Sequence, residues 1–209
     1  MEKYLTVDGE TATEKVIEKS RFLTYSSHVE SDEEAKAFIA KINAMHPLAT
    51  HVCYAYVADR IGNLMRFSDN GEPQGTAGMP ILEVIKNKKL FETAVAVVRY
   101  FGGIKLGAGG LVRAYSGGAA ENLDAAAIKV RQMACELALC VGYPEVTPLL
   151  RFLEGSGAEQ LGCDYADRVT FTVVVKREEE QKFTSALVDC MAGRVLVKKK
   201  DEYFYSFAE

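Results

Sequence analysis

Residues 99–113 read R-Y-F-G-G-I-K-L-G-A-G-G-L-V-R, with five glycines and three cationic side chains in fifteen positions. No other stretch limits the fold as strongly. Thr93–Val98 (T-A-V-A-V-V) precedes it as a short, β-branched apolar run that suits a buried strand. Leu111–Ile128 follows with apolar spacing that predicts a helix, taken over 109–130 at its widest. A glycine-rich turn between strand and helix brings backbone N–H groups close to a ligand, and the helix N-terminus adds unpaired donors. Arg99 at the strand end, Lys105 in the turn and Arg113 in the first helical turn then converge on one concavity, an expected anion site. The competing explanation is structural: Gly102 and Gly103 supply a tight reversal, and Gly117 and Gly118 permit close helix packing.

A second unusual stretch is Arg66–Pro80, R-F-S-D-N-G-E-P-Q-G-T-A-G-M-P. Asp69-Asn70-Gly71 is a turn by composition, and Pro73 fixes the next bend. Thr76 is expected to cap a helix over 76–87, with Ile81, Leu82 and Ile85 inward and Lys86, Lys88 and Lys89 outward. Long polar loops on compact domains often carry function.

Four motifs carry a family resemblance: K-S-R-F at 19–22, A-T-H-V-C-Y-A at 49–55, S-D-N-G-E-P-Q-G-T-A-G at 68–78 and R-Y-F-G-G-I-K-L-G-A-G-G-L-V-R-A-Y at 99–115. In order and spacing they resemble the YigZ/IMPACT family over most of residues 15–125, and residues 135–209 resemble the smaller C-terminal domain of its bacterial YigZ branch. One position departs: the family loop commonly reads Asp-Asp-Gly-Glu-Pro, whereas Asn70 takes the second acidic place here. That departure weakens divalent metal binding by paired carboxylates. The resemblance implies an α+β fold. Its N-terminal domain is similar to domain IV of elongation factor G and to a domain of a small-subunit ribosomal protein, and its C-terminal domain is ferredoxin-like.

Composition agrees with a globular chain. Of 209 residues, 48% are hydrophobic and 26% charged. No segment reaches the apolar length of a membrane span, and the N-terminus has no signal-peptide core. Five cysteines without a C-x-x-C pair predict reduced thiols in a cytoplasm, with neither a disulfide frame nor a zinc site. Residues 1–134 hold 16 basic and 16 acidic side chains, and residues 135–209 hold 9 and 13, which accounts for the net charge of −4. A general basic field for nucleic acid is therefore absent, and any such contact must be local.

Local signals predict two α+β units, 1–134 and 135–209, joined near Gln132–Glu136. In the first, strands are expected at Tyr4–Val7 and Val16–His28. A helix capped by Ser31 with Glu34 in a capping box ends before Pro47. His51–Ala58 and Leu64–Ser68 pair, and a strand at 92–100 follows the 76–87 helix. The second unit reads β-α-β-β-α-β, a ferredoxin-like order. Its expected elements are a strand at 136–141, a helix capped by Thr147, a hairpin of 162–166 with 169–176, and a helix opened by Glu178–Glu180. That helix is expected to bury Phe183, Ala186, Leu187 and Cys190, and a final strand runs over 195–207.

Enzymatic chemistry has one sketch. His51 and Cys53 are two apart on a strand and share a face, so with Asp69 or Glu72 they could form an activated thiol. The alternative function is accordingly a hydrolase of a peptide or phosphate ester using Cys53/His51 or Asp69/Glu72. No metalloenzyme spacing, Walker loop or dinucleotide fingerprint is present, and no cofactor is expected. His28 and His46 are expected as solvated or capping residues. The preferred expectation is a non-catalytic, translation-associated binding protein whose partner is RNA, the ribosome or a translation factor. One loop system offers His51, Ser68, Asp69, Glu72, Gly75 and Thr76, and the other offers Arg99, Gly102, Gly103, Lys105, Gly109 and Arg113. The basic trio is expected to contact phosphate or carboxylate, oriented by Asp69 and Glu72. The competing expectation is that Asp69 or Glu72 simply neutralises a cation inside the fold.

Overall fold

A computed structural model describes residues 3–208. The chain divides into two compact units, Lys3–Val130 and the part from Arg131 onward, and the fold is α+β in both.

In the first unit, β1 (Lys3–Val7) precedes the hairpin of β2 (Glu10–Ile17) and β3 (Ser20–His28). Helix α1 (Asp32–Met45) leads to β4 (His51–Val57), β5 (Met65–Ser68), α2 (Gly78–Asn87), β6 (Thr93–Tyr100) and α3 (Gly107–Ala125). The sheet order is β2-β3-β6-β4-β5, antiparallel throughout. Alternation along the central strands divides the core in two. Cys53, Ala55, Val95 and Val97 face Ile81, Ile85, Leu111 and Tyr115 of α2 and α3. Val52, Tyr56, Ala94, Ala96 and Val98 instead face Phe38, Ile39 and Ile42 of α1. Strand β6 is therefore buried on both faces, which explains its unbroken apolar run.

Strand β7 (Ile128–Val141) starts within the first unit and continues into the second. There α4 (Val146–Glu154), β8 (Glu159–Tyr165), β9 (Val169–Lys176), α5 (Glu180–Cys190) and β10 (Val195–Tyr205) follow. The path β10-β7-β9-β8, antiparallel at each pairing, is the ferredoxin-like arrangement expected from the local signals. Leu137, Leu139, Phe171 and Val173 meet Leu149, Leu153, Phe183 and Leu187 in its core.

Several local expectations are corrected. The strand expected over 16–28 is broken by a two-residue turn at Glu18 (φ 43°) and Lys19 (φ 63°), with Ile17 opposite Ser20. Positive φ at both central residues is the type I′ geometry, but Glu and Lys give no composition signal for it. Ser31 Oγ does accept from Glu34 N (3.1 Å), while the Glu34 carboxylate accepts from Glu30 N, one residue earlier than a capping box requires. Helix α3 stops at Ala125, and residues 132–136, expected as a join, are the middle of β7. A 3₁₀ turn at Tyr143–Glu145 precedes α4, so Thr147 is helical and caps nothing. A second 3₁₀ turn, Arg177–Glu179, precedes α5, where Phe183 and Leu187 are buried but Ala186 and Cys190 are exposed.

Candidate functional site

The register of the sheet places Arg99 directly between Phe22 of β3 and His51 of β4, on the face covered by α2 and α3. Arg99 is only 5% exposed. Its Nη1 donates to Glu72 Oε1 at 2.7 Å, and Tyr115 Oη donates to the same oxygen at 2.7 Å. The guanidinium carbon lies 5.5 Å from the Phe22 ring centroid and 5.4 Å from that of Phe101. Glu72 is itself buried, with His51 Nε2 at 3.9 Å from its other oxygen. The Asn70 carbonyl can only accept, so His51 Nδ1, 2.9 Å away, carries the ring proton there. The expected presentation of Arg99 to a ligand is thus overturned. Glu72 neutralises it inside the fold, where one lost partner leaves an uncompensated buried charge.

Cys53 belongs to the same interior. Its thiol donates to the Asp69 carbonyl at 2.9 Å, and burial pushes its pKa up to about 12. Burial likewise raises Tyr115. A thiol held protonated is the reverse of an activated nucleophile, so the Cys53/His51 sketch does not hold.

Asp69 has a third fate. Its Oδ1 accepts from Ala77 N (3.0 Å) and Gly78 N (2.8 Å), and Oδ2 accepts from Gly75 N (2.8 Å). The loop's own carboxylate therefore caps α2, and Thr76, the expected cap, instead donates its hydroxyl to Pro73 O at 2.6 Å. Burial raises the Asp69 pKa, but the amides of Gly75, Gly78 and Ala77 together outweigh it and hold the carboxyl below its ordinary value. Ser68 Oγ accepts from Asn70 N at 3.1 Å, a contact within the turn. Asp69 and Glu72 consequently orient neither Lys105 nor Arg113.

The second loop is different. Gly102 N donates to Ser20 Oγ (3.1 Å), and a Cβ on Gly102 would stand 2.0 Å from the Lys19 carbonyl carbon. Close packing against the β2–β3 turn therefore dictates this glycine. Gly103 (φ +86°) supplies the reversal. Helix α3 begins at Gly107, which puts Arg113 in its second turn and not in the first as expected. Among the described residues the amides of its glycine-rich first turn, Gly109 included, lack the carboxylate that α2 has. Beside it lies an open hollow of about 430 Å³, with Ile17, Glu18, Ile104, Lys105, Leu106, Gly110 and Arg113 in its wall. Lys105 and Arg113 are both exposed, and neither forms an ion pair among the described residues. Two of the three expected cations thus meet in one hollow; the third does not.

Phe101, 46% exposed, and the buried Tyr115 were missed in sequence, although both lie within the quoted motif at 99–115. His28, expected as a solvated or capping residue, joins Glu30 and Glu92 in a cluster whose possible ligand atoms lie within 4.8 Å of one another. Thr6 contacts His28 Nδ1 at 2.8 Å, and Arg60 Nε stands 3.7 Å from Glu92. Thr6 comes from β1, His28 and Glu30 from β3 and the residues after it, Arg60 from the β4–β5 connection and Glu92 from the segment before β6, so no spacing in the chain announces the cluster.

A two-domain α+β chain with these loops has known counterparts. The Impact N-terminal domain matches residues 18–123, and a domain of unknown function, DUF1949, matches residues 139–194. The chain belongs to the IMPACT family. It is 51% identical over 184 residues to the Thermus thermophilus "IMPACT family member in pol 5'region", covering 88% of this chain and 99% of that one. It is 37% identical over 199 residues to the Bacillus subtilis "IMPACT family member YvyE", covering 95% and 92%. A solved structure described as a hypothetical protein superposes with a TM-score of 0.64 at 33% identity, covering 96% of this chain and 98% of that one. No helix among the described residues is long and apolar enough to cross a membrane.

Proposed function

We propose that this chain is a non-catalytic binding protein associated with translation, and that it docks on RNA phosphate through the hollow beside α3. The observation that carries the reading is the pairing of Lys105 and Arg113 in that hollow, both exposed and without an ion pair among the described residues. The N-terminus of α3 near this hollow adds a partial positive charge that favours an anion further. The net charge of −4 excludes broad electrostatic adhesion, so binding depends on this local pair. The association with translation comes from the family resemblance.

The reading is tested with labelled structured RNA and with ribosomes over a range of salt. Lys105→Ala with Arg113→Ala is expected to weaken binding and to flatten the log–log salt slope by about 1 for each phosphate contact removed. Unchanged affinity and slope reject it. Pull-downs from extract with and without nuclease give the complementary answer: a partner retained after nuclease is a protein, and the RNA reading then fails.

A further inference from the structure

Resting on that RNA reading, we infer that Phe101 is a stacking platform for an unpaired RNA base whose neighbouring phosphates lie at Lys105 and Arg113. An aromatic ring has two faces. The Arg99 guanidinium lies over one of them, 5.4 Å from the centroid, while Phe101 remains 46% exposed. The face opposite Arg99 is the one left to offer a partner. The backbone that carries the ring is also held in place. Phe101 N donates to Thr50 Oγ1 (3.0 Å), and the next amide, Gly102 N, donates to Ser20 Oγ (3.1 Å). Gly102 is wedged against the Lys19 backbone with no room for a Cβ. An apolar ring carried on backbone that is fixed before any partner arrives has less freedom to lose on binding, which favours a preorganised contact.

Position supplies the chemistry of the partner. Ile104, three residues on, lines the hollow that holds Lys105 and Arg113, and three residues span at most about 11 Å. Flat apolar surface and unpaired cations therefore sit within the reach of a short oligonucleotide. Stacking on a ring needs a base whose face is free, and a duplex hides those faces inside its own stack. The occupant that fits both features is single-stranded RNA, or a loop or end of a structured one. A peptide carboxylate would satisfy the cations but leave the open face of Phe101 unused.

The experiment compares a labelled single-stranded RNA of about twelve nucleotides with an abasic oligomer of the same length. Anisotropy titrations use wild-type chain, Phe101→Ala, Phe101→Leu, Phe101→Tyr, and Lys105→Ala with Arg113→Ala. Phe101→Ala and Phe101→Leu are expected to weaken binding of the base-bearing oligomer about tenfold. Abasic binding should stay the same in both, and Phe101→Tyr should retain wild-type affinity. Leucine keeps an apolar cover over Arg99 but has no π-face, so its loss separates stacking from propping of the fold. If the double cation variant loses affinity while Phe101→Ala does not, the platform is disproved and the RNA reading stands. Equal losses for base-bearing and abasic oligomers also disprove the platform, because Phe101 would then only shape the hollow. No binding by the wild-type chain removes both.

Discussion

Two loops of the first domain, 69–77 between β5 and α2 and 101–106 between β6 and α3, share a plan and differ in outcome. Each carries glycines, and each leads from a strand into a helix. In the first, polarity is consumed internally: Asp69 caps α2, and Glu72 neutralises Arg99 and accepts from Tyr115. In the second, α3 starts without a side-chain cap, and Lys105 and Arg113 find no ion-pair partner among the described residues. The difference traces to one compositional fact. Residues 99–113 contain no Asp or Glu, whereas 66–80 contain both. The carboxylates of the first loop satisfy their own helix and reach across to one cation of the second stretch, Arg99; Lys105 and Arg113 lie beyond that reach.

That contrast makes the first loop a stability element and leaves the second as the loop on which the proposed function rests; the largest expected effect lies in the first. Glu72→Ala strips the buried Arg99 of its only carboxylate within 4 Å among the described residues. Removing one partner of such a pair costs about 3–5 kcal/mol. Urea denaturation should show this as a large fall in midpoint, and a change below about 1 kcal/mol would mean water reaches Arg99 freely.

Asp69 gives the next effect, and its sign depends on pH. The folded pKa is depressed, so the stabilisation is fully present above the unfolded carboxylate value, near about pH 4. It is lost as pH falls through the lower folded value, because the unfolded chain takes up its proton first. Asp69→Ala should cost about 1–2 kcal/mol at neutral pH, the scale of a lost N-cap. The variant should also lose less of its remaining stability than wild type between about pH 4 and 2. Asp69→Asn can still accept from the α2 amides, so it should recover much of the neutral-pH loss but none of the pH dependence. An acid profile shared by all three chains would show that the carboxylate carries no special role at α2.

Legibility in the sequence followed the range of the interaction. The ferredoxin-like order of the second domain and the inward Ile81, Leu82 and Ile85 of α2 were readable because periodicity and turn chemistry are local. Strand β2 was missed because Glu10–Ile17 has no apolar alternation: it is a polar edge strand with only intermediate or exposed positions. The burial of Arg99 was undecidable locally, because its carboxylate lies 27 residues away and only the register of β3, β6 and β4 makes the pocket dry. Thr76 looked like a cap because its hydroxyl lies in the G-T-A-G run that opens the helix, yet α2 starts at Gly78 after Ala77, and Asp69 reaches across the whole loop to cap it. The convergence of Lys105 and Arg113 was legible, since both lie on one strand–turn–helix segment whose geometry is nearly fixed by its glycines.

The smallest expected effect is the most informative about the second loop. Lys105→Ala with Arg113→Ala removes two exposed cations that hold no ion pair among the described residues. Surface substitutions of that kind usually fall within about 0.5 kcal/mol of wild type. The hollow also holds Glu18, so attraction to it and repulsion between the two cations offset each other in high dielectric. Urea midpoints of the double variant should therefore match wild type while its RNA affinity drops. The opposite result, a clear loss of stability, would mean that these side chains satisfy groups within the fold as Arg99 does, and the two loops would then differ in position but not in purpose.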